Sequence, residues 1–377
     1  MIQKVEANRF INSLTHSIME IILILGAAIV GFTLVMISIP PILRVARAKS
    51  LFEPFNSRKI HSGTIPPLGG VAIFIGFVLS TIVATDGYTF DSLKYIIAAV
   101  ILMFFIGLKD DLMAISARKK FIVQVFASIL LITLGNVRFT NLHGLLGIYD
   151  IHYFVSLFIT LFVMLAIINA FNLIDGIDGL ASGLAIVAST VFGVWFFLAN
   201  KIQFSIMSFA LIGSLSGFFL YNVFGHRNKL FMGDTGSLII GLIISTLTVK
   251  FNEFNILKTE PVAIYSAPSV SFAIIIVPLI DTLRVITIRL MQKKSPFSPD
   301  KNHIHHRLLE LVPTHFQATL ILIIATISII GIAILLNNMG LNVTVQFLLI
   351  FSIGVLFSFV PSAFIKRKKT RLAHHPA

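Results

Sequence analysis

Eleven long, unbroken apolar runs set the limits on what this chain can fold into. They fall near residues 20–43, 65–85, 93–108, 121–136, 152–170, 183–200, 204–224, 237–250, 264–288, 317–336 and 342–364. A helix needs ~20 such residues to cross ~30 Å of hydrocarbon. The shortest runs, 93–108 and 237–250, also suit re-entrant segments. None of the runs alternates polar with apolar residues, so helices are implied and a β-barrel is not. With 56% hydrophobic and 12% charged residues, a soluble domain could not hide the apolar surface. The expected fold is an all-α integral membrane protein. It is a polytopic bundle of about eleven transmembrane helices, forming a single membrane domain over 1–377. The run "IILILGAAIVGFTLVMISI" follows about twenty mostly polar residues. It is too long for a signal h-region and has no small-residue cleavage site, so it reads as a first transmembrane helix.

The chain has no cysteine, which removes disulfides, thiolate metal sites and cysteine nucleophiles together. Its net charge of +13 is concentrated in alternate loops. All but Lys4, Arg9, Lys94, Arg138, Lys201, Lys250 and Lys258 of the 29 Lys and Arg fall on one face or in the tail "KRKKTRLAHH". By the positive-inside rule that face is cytoplasmic, which puts the N-terminus outside and the basic tail, 365–377, inside. The charge is thus explained by membrane topology, with lipids as partners and no nucleic acid.

The chain has only 16 acidic residues. Six of them (Asp110, Asp111, Asp175, Asp178, Asp234 and Asp300) lie in four segments on the basic face. These segments are "GLKDDLMAISARKK", "NAFNLIDGIDGLASG", "YNVFGHRNKLFMGDTGS" and "SPDKNHIHHRLLE". A fifth, "FNSRKIHSGTIPPLGG", carries Arg58, Lys59 and His61. Acids near a bilayer are costly unless paired, hydrated or bound to a cation. Carboxylates converging with Asn suit a hard, oxygen-loving cation such as Mg²⁺. Basic residues among them suit a phosphate, whose charge metal and Lys or Arg would share. The pattern points to metal-assisted phosphoryl chemistry at a membrane surface.

Taken singly, each piece has a plainer reading. Asp110–Asp111 could be a solvated helix cap, and Asp234 an N-cap for the helix that follows it. His303, His305 and His306 could be a zinc site, but no companion acid or Cys stands at a standard spacing. They read better as phosphate or nucleotide contacts, or as surface histidines. Phe231 could be membrane packing, and Asp281, inside a predicted helix, a buried polar partner. What outweighs these readings is the convergence of five charged or polar loops on one face.

Taken in order, "RKIHSGTIPPLGG", "GLKDD", "NAFNLIDGIDGLASG", "FMGDTGS" and "PDKNHIHHRL" resemble the polyprenyl-phosphate N-acetylhexosamine-1-phosphate transferases. The likeness runs over about 45–310, the part that carries the catalytic loops. "HIHHRL" and "PPLGG" resemble the N-acetylglucosamine branch. The Thr-Pro-Thr-Met-Gly-Gly loop and triple histidine of the muramoyl branch are absent.

The resemblance implies an enzyme of the bacterial inner membrane with its active site on the cytoplasmic face. It would move a sugar-1-phosphate from a UDP-HexNAc, most simply UDP-N-acetylglucosamine, to undecaprenyl phosphate, releasing UMP. That is a first membrane step of cell-surface polysaccharide synthesis. Another UDP-amino-sugar would use the same chemistry, and a homodimer is compatible with it. A transporter is the reading from another class, but it would place charges near the midplane, where only Asp281 lies.

The resemblance also implies roles. Asp110, with Asp111 beside it, would position or deprotonate the lipid phosphate, and Lys120 would neutralise it. Asp234 would ligate Mg²⁺, with Asn172 as second protein ligand and Mn²⁺ as a substitute metal. Asp175 and Asp178 would face the nucleotide, Phe231 would stack on uracil, and Asn222 would sit nearby. Lys59, His303, His305, His306 and Arg307 would hold pyrophosphate or the amino sugar.

Overall fold

The computed structural model describes residues 2–51, 65–85, 91–257, 262–294 and 302–374, with side chains within those stretches from Ser17 to Arg367 and at Thr370. The described residues form helices α1 (Ile2–Ala48), α2 (Gly69–Ala84), α3 (Leu93–Leu112) and α4 (Ala117–Thr133), then a hairpin of β1 (Asn141–Leu145) and β2 (Ile148–Asp150). Next come α5 (Tyr153–Ile174), α6 (Leu180–Leu198), α7 (Ile202–Phe224), α8 (Gly233–Phe254), α9 (Ala267–Ile274), α10 (Ile276–Met291), α11 (Ile304–Leu309), α12 (His315–Asn338) and α13 (Val343–His374). Each apolar run coincides with a helix or, at 264–288, with a pair of helices.

Among the described residues, seven helices are long and apolar enough to cross a membrane: Ser17–Ala48 of α1, then α5, α6, α7, α8, α12 and Val343–Arg367 of α13. The chain is a multi-pass membrane protein. The expected single helix over 264–288 is instead α9 and α10, bent by 77°. The reason is local. Pro278 has no N–H to give the carbonyl four residues back, and its ring crowds that carbonyl. That carbonyl belongs to Ile274, where α9 ends.

α8 is the central helix. Thr235 to Val249 are all buried, and it packs against α2, α3, α5 and α6. Small residues allow this. A Cβ at Gly241 would fall 2.6 Å from Ile168 Cα of α5, and one at Gly107 would fall 2.4 Å from Thr235 Cα. Backbone at that distance leaves room only for glycine. The same end of the bundle therefore brings together the C-termini of α3 and α5 and the N-termini of α4 and α8.

At the opposite end the β1–β2 hairpin, which the apolar pattern gave no reason to expect, sits on the end of α8. Glu253 accepts from Thr140 N at 2.7 Å and from Thr140 Oγ1 at 2.8 Å, and His143 Nε2 lies 3.0 Å from Asn252 O.

Candidate active site

The segment "GLKDDL" ends α3 against the first turn of α8. Asp111 Oδ1 accepts from Asp234 N at 2.7 Å, while Oδ2 accepts from Thr235 N at 3.0 Å and Thr235 Oγ1 at 2.5 Å. The carboxylate that satisfies the first N–H groups of α8 thus comes from another helix. Asp234 does not cap its own helix, and Asp111 does not cap its own. Gly233 turns the chain into α8 at φ +72°, where a Cβ would fall 2.3 Å from Pro67 O. Burial pushes the Asp111 carboxyl up to about 7, against the pull of its hydrogen bonds from Thr235 and Asp234.

Asp110 turns the other way. Its Oδ1 accepts from Ile115 N at 2.7 Å, which closes the turn into α4. That turn brings back Lys120, whose Nζ lies 2.6 Å from Asp110 Oδ2 and 2.5 Å from Asp234 Oδ2. Asn172, in the last turns of α5, donates to Asp234 Oδ1 at 2.6 Å and to Ser237 Oγ at 2.9 Å. Burial alone would raise Asp110. Hydrogen bonds with Asp234, Lys120 and Ile115 N outweigh it and hold the carboxyl below the usual range. Burial would likewise lower Lys120, but the charges of Asp234 and Asp110 hold it above the ordinary lysine value. One cation is thus gripped by carboxylates from two other helices.

A second cluster forms around the α5–α6 turn. Asp178 Oδ2 lies 2.6 Å from Lys229 Nζ and 2.9 Å from His315 Nδ1. Its backbone carbonyl accepts from Thr319 Oγ1 at 2.9 Å. Burial pulls Asp178 up, but hydrogen bonds from His315 and Lys229 and their charges leave it below its ordinary value. Asn222 Oδ1 accepts from Gly179 N at 2.6 Å and its Nδ2 donates to Leu230 O at 2.9 Å. Asn222 therefore ties this turn to the α7–α8 segment. Phe231 N donates to Pro66 O at 3.0 Å, and Phe231 O accepts from Gly69 N at 2.9 Å. The Lys229 ammonium stands 5.8 Å from the Phe231 ring centroid. Asp175 closes α5.

The histidine segment closes a third side. His303 Nδ1 lies 2.8 Å from Asp281 Oδ2, and Ile304 N donates to Asp281 Oδ1 at 2.8 Å. The His305 ring packs on Gly176, where a Cβ would fall 2.3 Å from Nε2. Burial, then the charges of His306, His303 and His315, push His305 well below the usual imidazole value, so it is neutral. The His306 ring lies beside it, tilted by 49°, with 4.4 Å between centroids. Arg307 donates to Asn302 Oδ1 at 2.9 Å and to Glu310 at 3.2 Å. The companion acid that the histidine spacing lacked does exist. Asp281, His303 and His305 bring ligand-type atoms within 4.8 Å of one another. It comes from α10, where no local spacing could reveal it.

Residues 93–252, from the start of α3 to near the end of α8, match the family described as glycosyl transferase family 4. The undecaprenyl-phosphate alpha-N-acetylglucosaminyl 1-phosphate transferase of Escherichia coli O157:H7 is 31% identical over 339 residues, 87% of this chain and 90% of that protein. The chain belongs to glycosyl transferase family 4. The probable undecaprenyl-phosphate N-acetylglucosaminyl 1-phosphate transferase of Bacillus subtilis (strain 168) is also 31% identical, over 90% of this chain and 91% of its own. The corresponding E. coli K12 enzyme is 32% identical over 78% of each chain.

In this family 4 glycosyl transferase, the matched stretch holds Asp110, Asp111, Lys120, Asn172, Asp175, Asp178, Asn222, Phe231 and Asp234. The histidines lie beyond it. The structure joins Asp110, Asp111, Lys120, Asn172 and Asp234 in one hydrogen-bonded group, and Asp178 to the Asn222–Phe231 segment. Lys59 lies outside the described residues. Thr235, Ser237, Lys229 and His315 join these groups without having been expected there. The composition "GHRNK" reads only as a basic loop, and His315 as the first residue of a helix. Neither gives a signal of an Asp178 partner.

Proposed function

We propose that this transferase moves N-acetylglucosamine 1-phosphate from UDP-N-acetylglucosamine to undecaprenyl phosphate, giving undecaprenyl-pyrophosphate-N-acetylglucosamine and UMP. The lipid and the sugar are those for which the similar transferases of Escherichia coli and Bacillus subtilis are named. The observation that carries the chemistry is the Lys120 ammonium held between Asp110 and Asp234, with Asn172 against Asp234.

An oxygen of the lipid phosphate attacks the β-phosphorus, and the bond to the bridging oxygen of UMP breaks. Two anions must approach, so charge neutralisation and in-line positioning are the main tasks. Lys120 faces the incoming lipid phosphate, and Asp110 holds it there through its own turn. A phosphate monoester is mostly ionised near neutral pH, so orientation matters more than proton removal. Asp111 serves by fixing the first turn of α8, and with it Asp234. The Asp234 carboxylate already holds one cation, Lys120, and meets the Asn172 amide on its other oxygen; a carboxylate with an amide oxygen turned beside it is a donor set that suits Mg²⁺. Asp234 and Asn172 would hold it, with Mn²⁺ as a substitute. The chemistry such an ion would supply is neutralisation of the negative charge on the donor. Asp178, Lys229, Asn222 and Phe231 shape the nucleotide side, with Asp175 at its edge. His303, His306 and Arg307 meet the pyrophosphate or amino sugar; Lys59, outside the described residues, is given the same role by sequence resemblance alone.

The site lies on the cytoplasmic face of a bacterial inner membrane, on the evidence of the Lys and Arg distribution. On this reading α2, α3, α4 and the bent α9–α10 pair also count as spans. That gives eleven, with the N-terminus outside and the tail inside. The test is UMP release by purified protein in detergent, with undecaprenyl phosphate, Mg²⁺ and a panel of UDP-sugars. Release that needs lipid, metal and Asp234, and prefers UDP-N-acetylglucosamine, is the expected result. Preference for another UDP-amino-sugar would change the donor, and no release with any of them would refute the proposal.

A further inference from the structure

Asp281 is only 1% exposed, in α10 just past the 77° bend. A buried carboxylate is costly unless fully partnered. Both of its oxygens are engaged by the histidine segment, one by His303 Nδ1 at 2.8 Å and the other by Ile304 N–H at 2.8 Å. Arg284, also buried and three residues further along α10, donates to the Asn302 carbonyl oxygen and to Ser362 Oγ. One face of α10 therefore grips the segment by a backbone carbonyl, a backbone N–H and an imidazole.

A carboxylate only accepts hydrogen bonds, so the hydrogen between these side chains sits on His303 Nδ1. We infer that Asp281 is a positioning residue: it fixes the His303 ring with Nδ1–H on the carboxylate and leaves Nε2 as the nitrogen offered to the anionic part of the nucleotide-sugar donor. The donor in that statement rests on the proposed transferase reaction. A carboxylate behind an imidazole fixes its tautomer and orientation and raises the basicity of the other nitrogen. His305 has a different part. Its Nδ1 stands 4.0 Å from Asp281, and its ring is wedged on Gly176. It docks the histidine segment on the turn that carries Asp175 and Asp178.

The experiment uses the full chain in detergent with Asp281→Asn, His303→Gln and both together. Asparagine keeps the size and an acceptor for Ile304 N–H, but it cannot accept from both partners as a carboxylate does. The expected result is a rise in KM for the UDP-sugar of about tenfold or more, with KM for undecaprenyl phosphate unchanged. Asp281→Asn should add nothing in the His303→Gln background. Nitrogen-15 histidine spectra, with His303 assigned by its loss in His303→Gln, should show its Nδ1 protonated in the wild type and altered in Asp281→Asn. That readout needs no turnover. A wild type that uses no UDP-sugar would defeat the transferase reading, and the spectra would still decide the role of Asp281. Unchanged His303 resonances in Asp281→Asn would overturn the inference. So would additive kinetic effects, or stoichiometric zinc bound through His303 Nδ1.

Discussion

The Lys120 ammonium lies 2.5 Å from the Asp234 carboxylate across 114 residues of sequence. The same nitrogen is 2.6 Å from Asp110. With Asn172 donating to the other Asp234 oxygen, two helix N-termini and two helix C-termini are tied at one charged point, which is also where the proposed chemistry needs its cation.

Asp111 gives this point a pH signature. Its carboxyl is raised to about 7 by burial, whereas an unfolded aspartate titrates near ~3.9. Between those values the folded state holds the extra proton, so stability falls as pH rises through the window. Asp110 works in the opposite sense. Its lowered value contributes stability above the ordinary carboxylate range, lost only as pH falls below it. Buried neutral His305 contributes in the opposite sense in this window, so the expected outcome is a difference: the Tm of wild type relative to Asp111→Asn declines from about pH 4 to 7. Thermal melts of both proteins at several pH values check this, and equal slopes would refute the assignment.

The Asp178–Lys229 pair should behave as a unit. Asp178→Asn and Lys229→Met are each expected to raise KM for the nucleotide sugar while leaving KM for the lipid alone. The double variant should cost little more than either single one, for a coupling of roughly 1–3 kcal/mol. A double-mutant cycle on kcat/KM measures it. Simple additivity would mean that the two residues act separately.

Close packing at α8 makes a contrast between two glycines. A Cβ at Gly107 would meet Thr235 Cα at 2.4 Å, whereas one at Gly331, in α12, would meet nothing within 4 Å. Gly107→Ala should lower stability by about 1–3 kcal/mol through overpacking. Gly331→Ala should raise it by about 0.5–1 kcal/mol through helix propensity. Thermal shift on both variants tests this, and Gly107→Ala as stable as wild type would contradict the tight α3–α8 contact.

Much of the helical architecture is legible because each run must satisfy its backbone internally, and a continuous apolar stretch leaves few other choices. The α9–α10 break was also written in the chain, at Pro278, but hydropathy does not register a missing N–H. The hairpin escaped because its strands, five and three residues long, are too short for any periodicity to show. At the site, Asp110, Lys120, Asn172 and Asp234 could be named from their loops, each standing in a recognisable pattern. Lys229, His315 and Asp281 could not be paired with their partners. Their meanings are set by contacts 51, 137 and 22 residues away, and such contacts exist only once the helices pack.

The most direct test of the account is the initial rate of lipid-linked sugar formation by purified Lys120→Met. The variant keeps much of the side-chain length but removes the charge between Asp110 and Asp234. The account predicts a fall in kcat of about a hundredfold or more, the scale expected when a group stabilising developing charge is removed, in protein that still elutes and melts as folded. A rate within a few-fold of wild type, in protein equally well folded, would contradict the placement of phosphoryl transfer at this cluster.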